Sequence, residues 1–151
     1  YLDEDPAMTA CRSLPNVTID TMGWDMRFLL SDYFAVVTLG ATSTLSWVYW
    51  SGRPFAYLDP PCANLRLRSD LVPVFRECAS YFDQTDPDHF AALRTWLSRP
   101  REAILADWAS RQAQRETALA PVFGDAHRWS LTALISNLIK ESPRVAATEP
   151  G

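Results

Sequence analysis

Metal-ligating residues, long apolar runs and positive charge are all scarce in this chain. Three cysteines, Cys11, Cys62 and Cys78, stand far apart with no CxxC pair, and only His89 and His127 are at hand to complete a metal site. They read as reduced thiols, and no metal is expected. The longest apolar stretch, around Tyr33 to Leu39, falls well short of the roughly 20 residues that cross a bilayer, so no transmembrane segment is encoded. A formal net charge of -4 leaves no basic face for a nucleic-acid backbone, and nucleic acid is excluded as an expected partner. Neither a GxSxG elbow nor a Gly-rich P-loop is found, and there is no internal repeat. No basic-then-apolar leader precedes Tyr1. Either an upstream segment has been removed or the chain starts inside a longer protein.

What is present is a chain of 151 residues, 48% apolar and 21% charged. A chain of this size closes one core and buries roughly 70% of its unfolded surface. Residues 1–141 are expected to form a single domain, followed by a polar, proline-containing flexible tail over 142–151. Asn16 to Asp20 (NVTID) has the β-branched alternation of a short strand, and Asp25 to Asp32 places Met26, Leu29 and Leu30 at helical spacing behind a capping Asp25. Phe34 to Leu39 (FAVVTL) is a continuous apolar run of the kind that fills a parallel strand covered on both faces, and it is expected to be the central strand. A buried helix over Ala41 to Trp50 stops at Ser51-Gly52, and Pro54 to Leu58 (PFAYL) forms the next strand, ended by Asp59-Pro60-Pro61. Helical periodicity then covers Leu71 to Phe82. Two helices follow from about His89 to Leu119, capped by Asp86-Pro87-Asp88 and broken at Pro100, and a last amphipathic helix runs from Trp129 to Ile139. Strands alternating with helices across short connections make the class α/β, a parallel sheet with helical crossovers and a helical C-terminal portion.

Chemistry concentrates in Val36 to Asp59. A buried strand passes through Gly40 into Thr42, Ser43 and Thr44, where backbone amides at a helix start point outward and hydroxyls add donors for phosphate oxygens. Ligands of open α/β sheets collect beyond the carboxyl ends of the strands, where the Gly40 loop and the Asp59 loop both emerge. The competing reading is that Thr42 or Ser43 only caps a structural helix.

The succession VVTLGATST followed by SGRPFAYLD resembles the C-terminal domain of GT-B glycosyltransferases, especially bacterial capsule and surface-carbohydrate biosynthesis proteins, and LPNVTID and LLSDYFAVVT fit the elements preceding this motif. The resemblance covers roughly Leu14 to Leu119. It implies a Rossmann-like half-domain that binds a nucleotide diphospho-sugar as substrate, with no other cofactor. Thr42, Ser43 and Thr44 would lie on the phosphates. It also implies an acceptor-binding domain N-terminal to this one, which would supply the general base, so this chain alone is not expected to be active. Where many relatives carry the Glu that holds the ribose, this sequence has Trp47 or Val48. The implied location is the cytoplasm, at the inner face of the membrane where lipid-linked acceptors are met. Two alternatives stand beside this reading: a non-catalytic interaction domain of the same fold, and a polyol-phosphate transferase or sugar-nucleotide epimerase.

Other candidates have bland counterparts. Asp20 at a strand end can meet a substrate hydroxyl, while Asp25 serves equally as a helix cap. Asp59 either binds a sugar or terminates a strand. Arg66 and Arg68 can reach a diphosphate in bidentate fashion or form a solvated surface pair. His89 and His127 read as surface or capping residues, and Trp47, Trp50, Trp96 and Trp108 as core rather than sugar-stacking aromatics.

Overall fold

Gly40 and Gly52 mark the places where the chain leaves one strand and approaches the next. Both adopt left-handed backbone, with φ of +75° and +68°, which residues bearing a Cβ reach only at a cost. The computed structural model describes residues 6–20 and 26–123. Its elements are α1 (Pro6–Arg12), α2 (Met26–Leu29) running into a 3-10 turn (Leu30–Asp32), β1 (Val36–Leu39), α3 (Thr44–Trp50), β2 (Phe55–Asp59), α4 (Val72–Cys78), β3 (Ser80–Asp83), α5 (His89–Leu97), α6 (Arg101–Ser110), α7 (Gln112–Ala118) and α8 (Ala120–Phe123).

The three strands form one parallel sheet in the order β1-β2-β3. Register runs from Val36 opposite Phe55 to Leu39 opposite Leu58, and from Ala56 opposite Ser80 to Asp59 opposite Asp83. Strands laid down in sequence with crossovers of one hand place their connecting helices on the same face. Accordingly, Leu45, Val48 and Tyr49 of α3 and Phe75 and Cys78 of α4 share one core with Phe55 and Tyr57. The opposite face is closed by α5 and α6, whose Trp96 and Ile104 pack on Ala56 with Leu93 and Phe82. The mixed α/β class is therefore as expected, with helices on both faces of a small parallel sheet.

Several expectations are corrected. The central strand is β2, not β1: Phe55, Ala56 and Tyr57 are fully buried, whereas Val37 and Leu39 are 44% and 51% exposed on an edge strand. The two apolar runs are alike in composition, and the number of neighbouring strands decides their burial. Asn16 to Asp20 forms no strand; its Val17 is exposed, and the segment starts with a turn in which the Val17 amide donates to the Leu14 carbonyl. The helix expected over Leu71 to Phe82 stops at Cys78, where Ala79 turns extended (φ -141°, ψ 174°), and Ser80 to Asp83 becomes β3. Tyr81 and Phe82 then pack on opposite faces of the sheet, in separate cores, the alternation of a strand. α3 starts three residues later than expected, after the Gly40 turn. Asp88 at the head of α5 makes no side-chain capping bond, and Asp86 instead accepts the Asp88 amide at 2.9 Å. Pro100 does separate α5 from α6, and a further break at Arg111 has no proline or glycine to announce it. The helix expected from Trp129, the tail from Ser142, and Asp25 lie outside the described residues.

Cys11, Cys62 and Cys78 are free thiols, with Cys78 buried. Trp96 is core, and Trp47, Trp50 and Trp108 pack partly buried against the main core. Arg115, only 7% exposed, lays its guanidinium 3.5 Å from the Trp108 ring centroid, and desolvation lowers its pKa. Among the described residues no helix is long and apolar enough to cross a membrane.

Phe75 is completely buried between the Tyr57 and Phe123 rings, at 5.2 and 6.2 Å. Phe75→Ala is expected to cost about 3–5 kcal/mol in urea unfolding, whereas Leu39→Ser on the open edge is to cost no more than about 0.5 kcal/mol.

Candidate functional site

The carboxyl ends of the three strands deliver three loops to one edge of the sheet: Gly40 to Ser43 after β1, Pro60 to Leu71 after β2, and Gln84 to Asp88 after β3. The first two are fastened together. The Gly40 amide donates to the Leu58 carbonyl at 3.0 Å and the Ala41 amide to the Leu65 carbonyl at 2.7 Å. A Cβ on Gly40 would lie 3.1 Å from the Leu65 Cβ and 3.3 Å from its carbonyl oxygen. Glycine is required there twice, for its positive φ and for the approach of the second loop.

Asp59 governs the second loop. Its side chain is fully buried, yet both oxygens have partners: Oδ1 accepts the Leu67 amide at 2.8 Å, and Oδ2 accepts the Tyr81 hydroxyl at 2.6 Å. Arg66 Nε lies 3.6 Å from the same Oδ2. A buried carboxyl is tolerated where hydrogen bonds and a counter-charge replace water, and here both do so. Tyr57 packs at 6.0 Å from the Tyr81 ring. Burial first, and Asp59 beside them second, push both phenols well above the usual tyrosine range.

On the outermost strand, Asp83 receives Arg66 Nη2 at 2.8 Å and takes both the amide and the hydroxyl of Thr85 on Oδ1, at 2.9 and 2.7 Å. The Thr85 hydroxyl, then its amide and the Arg66 charge hold the Asp83 carboxyl below the usual range. Arg66 is thus bound to Asp83 and close to Asp59, so its charge is already matched by carboxylates. Arg68 pairs with Asp70 in bidentate fashion on the surface, the solvated alternative. His89 bonds the Asp86 carbonyl and stacks on Phe90 at 4.0 Å.

The structure therefore brings Gly40, Thr42, Ser43, Thr44, Asp59 and Arg66 to one edge. It does not do so for Asp20, which sits exposed on residues 17–20 without regular structure; the strand end expected to aim it is absent. Asp59 also changes character, because a fully buried side chain with both oxygens engaged offers a ligand nothing directly. The capping alternative for the hydroxyl loop fails: Ser43 holds the N-cap position of α3 in helical conformation and makes no side-chain cap bond. Thr42 and Ser43 are exposed, and the Thr42 and Thr44 hydroxyls bond each other at 2.6 Å. In such a pair one hydroxyl donates and the other keeps its proton for an outside acceptor.

Sequence reasoning missed Tyr81, Asp83 and Thr85. Asp-x-Thr after an aromatic pair is a recognisable side-chain turn signal. Tyr81 had no such signal, because its role exists only once β3 pairs with β2.

Among the described residues, pockets also lie elsewhere. One follows β3 and α5, and another is lined by Trp50, Trp108 and Arg115. Among the described residues no three His, Cys, Asp or Glu side chains cluster to hold a metal. No family model matches the chain, and no curated protein and no solved structure matches it.

The Gly40 geometry makes a direct prediction. Gly40→Ala should lower stability by about 1–2 kcal/mol from the left-handed backbone alone, and more if Leu65 cannot yield, measured by chemical denaturation. Gly52→Ala shares the positive φ but meets nothing within 4 Å of its Cβ, so it should cost less.

Proposed function

We propose that this chain is the donor-binding half of a two-domain glycosyltransferase of the GT-B type, taking a nucleotide diphospho-sugar at the Gly40 to Thr44 loop. The observation that carries the reading is that loop itself. Exposed, uncapping hydroxyls stand at the carboxyl edge of a parallel sheet, directly after a glycine that both its positive φ and a second loop's close approach require. Ligands of such sheets gather at this edge. The resemblance of VVTLGATST and SGRPFAYLD to the donor domains of surface-carbohydrate glycosyltransferases gives the loop its diphosphate.

In this reading the hydroxyls of Thr42, Ser43 and Thr44 and the neighbouring amides take the phosphate oxygens. α3 has only seven residues, so its dipole adds little, and hydroxyl and amide hydrogen bonds do most of the binding. Arg66, balanced by Asp83 and Asp59, serves to hold the loops rather than to neutralise the diphosphate. An acceptor-binding domain supplies the base that takes the acceptor proton, while the loop stabilises the leaving diphosphate. The product is a surface carbohydrate made on the cytoplasmic side of the membrane.

One observation favours a second reading, a non-catalytic interaction domain of the same fold. α3 contains no carboxylate for a ribose: Val48 is buried in the core, and Trp47 lies under the Arg27 guanidinium at 5.1 Å.

Calorimetric titration with UDP, CDP, GDP and ADP separates the two. The transferase reading expects saturable binding of one nucleotide, weakened about tenfold by Ser43→Ala or Thr44→Ala, the worth of one hydrogen bond. A folded chain that binds none of the four supports the interaction domain.

A further inference from the structure

A second cluster of chemistry lies at the opposite margin of the sheet, two strands away from β1. A pocket of about 360 Å³ is lined by four consecutive residues, Ala79 to Phe82, together with side chains of α4, α5 and the α6–α7 junction. Because side chains alternate across a strand, a pocket touching four successive residues follows the edge of the strand that no other described strand pairs. The Gln84 amide donates to the Asp59 carbonyl across the ladder. Alternation therefore turns the Tyr81 amide away from β2, toward that edge.

Three guanidiniums line this pocket, from Arg76, Arg99 and Arg111. Arg111 places Nη2 3.0 Å from both Asp107 oxygens and donates through Nη1 to the Ala79 carbonyl at 2.9 Å. Arg99 lies 3.6 Å from Asp107 and donates to the Ala103 carbonyl at 3.1 Å. Arg76 stacks 5.2 Å from the Tyr81 ring centroid. Among the described residues, Asp107 is the one carboxylate within ion-pair distance of Arg99 and Arg111, and none lies that close to Arg76. The pocket thus holds two positive charges in excess, in a chain whose net charge is -4. Two of its arginines are already immobilised, so a ligand would order few side chains on binding.

Trp96 lies beside these arginines. It lines the pocket, is only 6% exposed, and its indole N–H is buried with no hydrogen-bond partner. A buried donor left unpaired is costly, and such groups in native proteins call for an explanation. An acceptor entering the pocket would lie beside this indole.

We propose that this pocket binds a dianionic phosphate group, either inorganic phosphate or the phosphate of a small monoester. The charge excess matches a dianion, guanidiniums and outward N–H groups match its acceptor oxygens, and a pocket of this size lies at the lower end of the roughly 300–1,000 Å³ range of small-molecule sites. The Tyr81, Phe82 and Trp96 rings would flank any carbon body attached to the phosphate. The site is independent of the Gly40 loop.

The test is a proton–nitrogen correlation titration of the full chain with sodium phosphate, with sodium chloride at matched ionic strength as control. Trp96→Phe, or backbone-linked assignment where that variant does not fold, identifies the Trp96 indole resonance. That resonance is expected to move saturably with phosphate, about tenfold more weakly in Arg76→Gln, and unchanged in Ser43→Ala. Arg76 is exposed on α4, so its replacement leaves the core intact; Arg99→Gln is the second variant. An indole resonance that stays still at tens of millimolar phosphate, that moves equally with chloride, or that moves as readily in both arginine variants as in the unaltered chain overturns the proposal. A parallel titration with glycerol phosphate decides the source: tighter binding than inorganic phosphate identifies a monoester, and equal or weaker binding identifies the free ion.

Discussion

A carboxyl group shut away from water at the end of the central strand holds the carboxyl edge together. Asp59 takes the Leu67 amide of its own loop on one oxygen and the Tyr81 hydroxyl of the neighbouring strand on the other, with Arg66 Nε at 3.6 Å. Leaving such a group unpaired would cost several kcal/mol, so the residues that satisfy it are constrained as firmly as a core. Through Leu67 the long loop after β2 is drawn inward. Through Arg66 and Asp83 the loop after β3 is tied to it. Leu65, two residues before Leu67, is then where the Ala41 amide finds its acceptor.

The Gly40 to Thr44 loop inherits its shape from that chain of contacts. It has no regular structure of its own until Thr44, and the elements that pin it are a strand below and the Leu65 backbone beside it. A loop whose groups are fixed by a buried polar network presents its hydroxyls without first ordering them. The molecule also separates its charges. At the carboxyl edge Arg66 is matched by Asp59 and Asp83, whereas along β3 Arg99 and Arg111 share Asp107 and Arg76 lies over the Tyr81 ring. The two margins of one small sheet therefore differ in charge.

Much of this was legible in advance, and the limits have physical causes. β1, α3 and β2 were readable because apolar runs are broken by glycines whose backbone only glycine adopts easily. Which run becomes central was not, since FAVVTL and PFAYL differ little and burial depends on pairing partners that a local pattern does not name. NVTID alternates like a strand, but no neighbour pairs with it. β3 was hidden because Ala79 and Phe82 fit a helical interval as well as an extended one. The hydroxyl loop and Asp59 were visible as candidates. The role of Asp59 was not, because Tyr81 stands on the strand that went unrecognised.

The measurement that bears most directly on this account is a double-mutant cycle between Asp59→Asn and Tyr81→Phe, read by urea denaturation. If Asp59 anchors the carboxyl edge through Tyr81, the two losses are coupled by about 1.5 kcal/mol or more, the worth of a hydrogen bond to a charged group. Losses that add to within about 0.5 kcal/mol would mean that the two side chains stabilise the protein independently, and would contradict it.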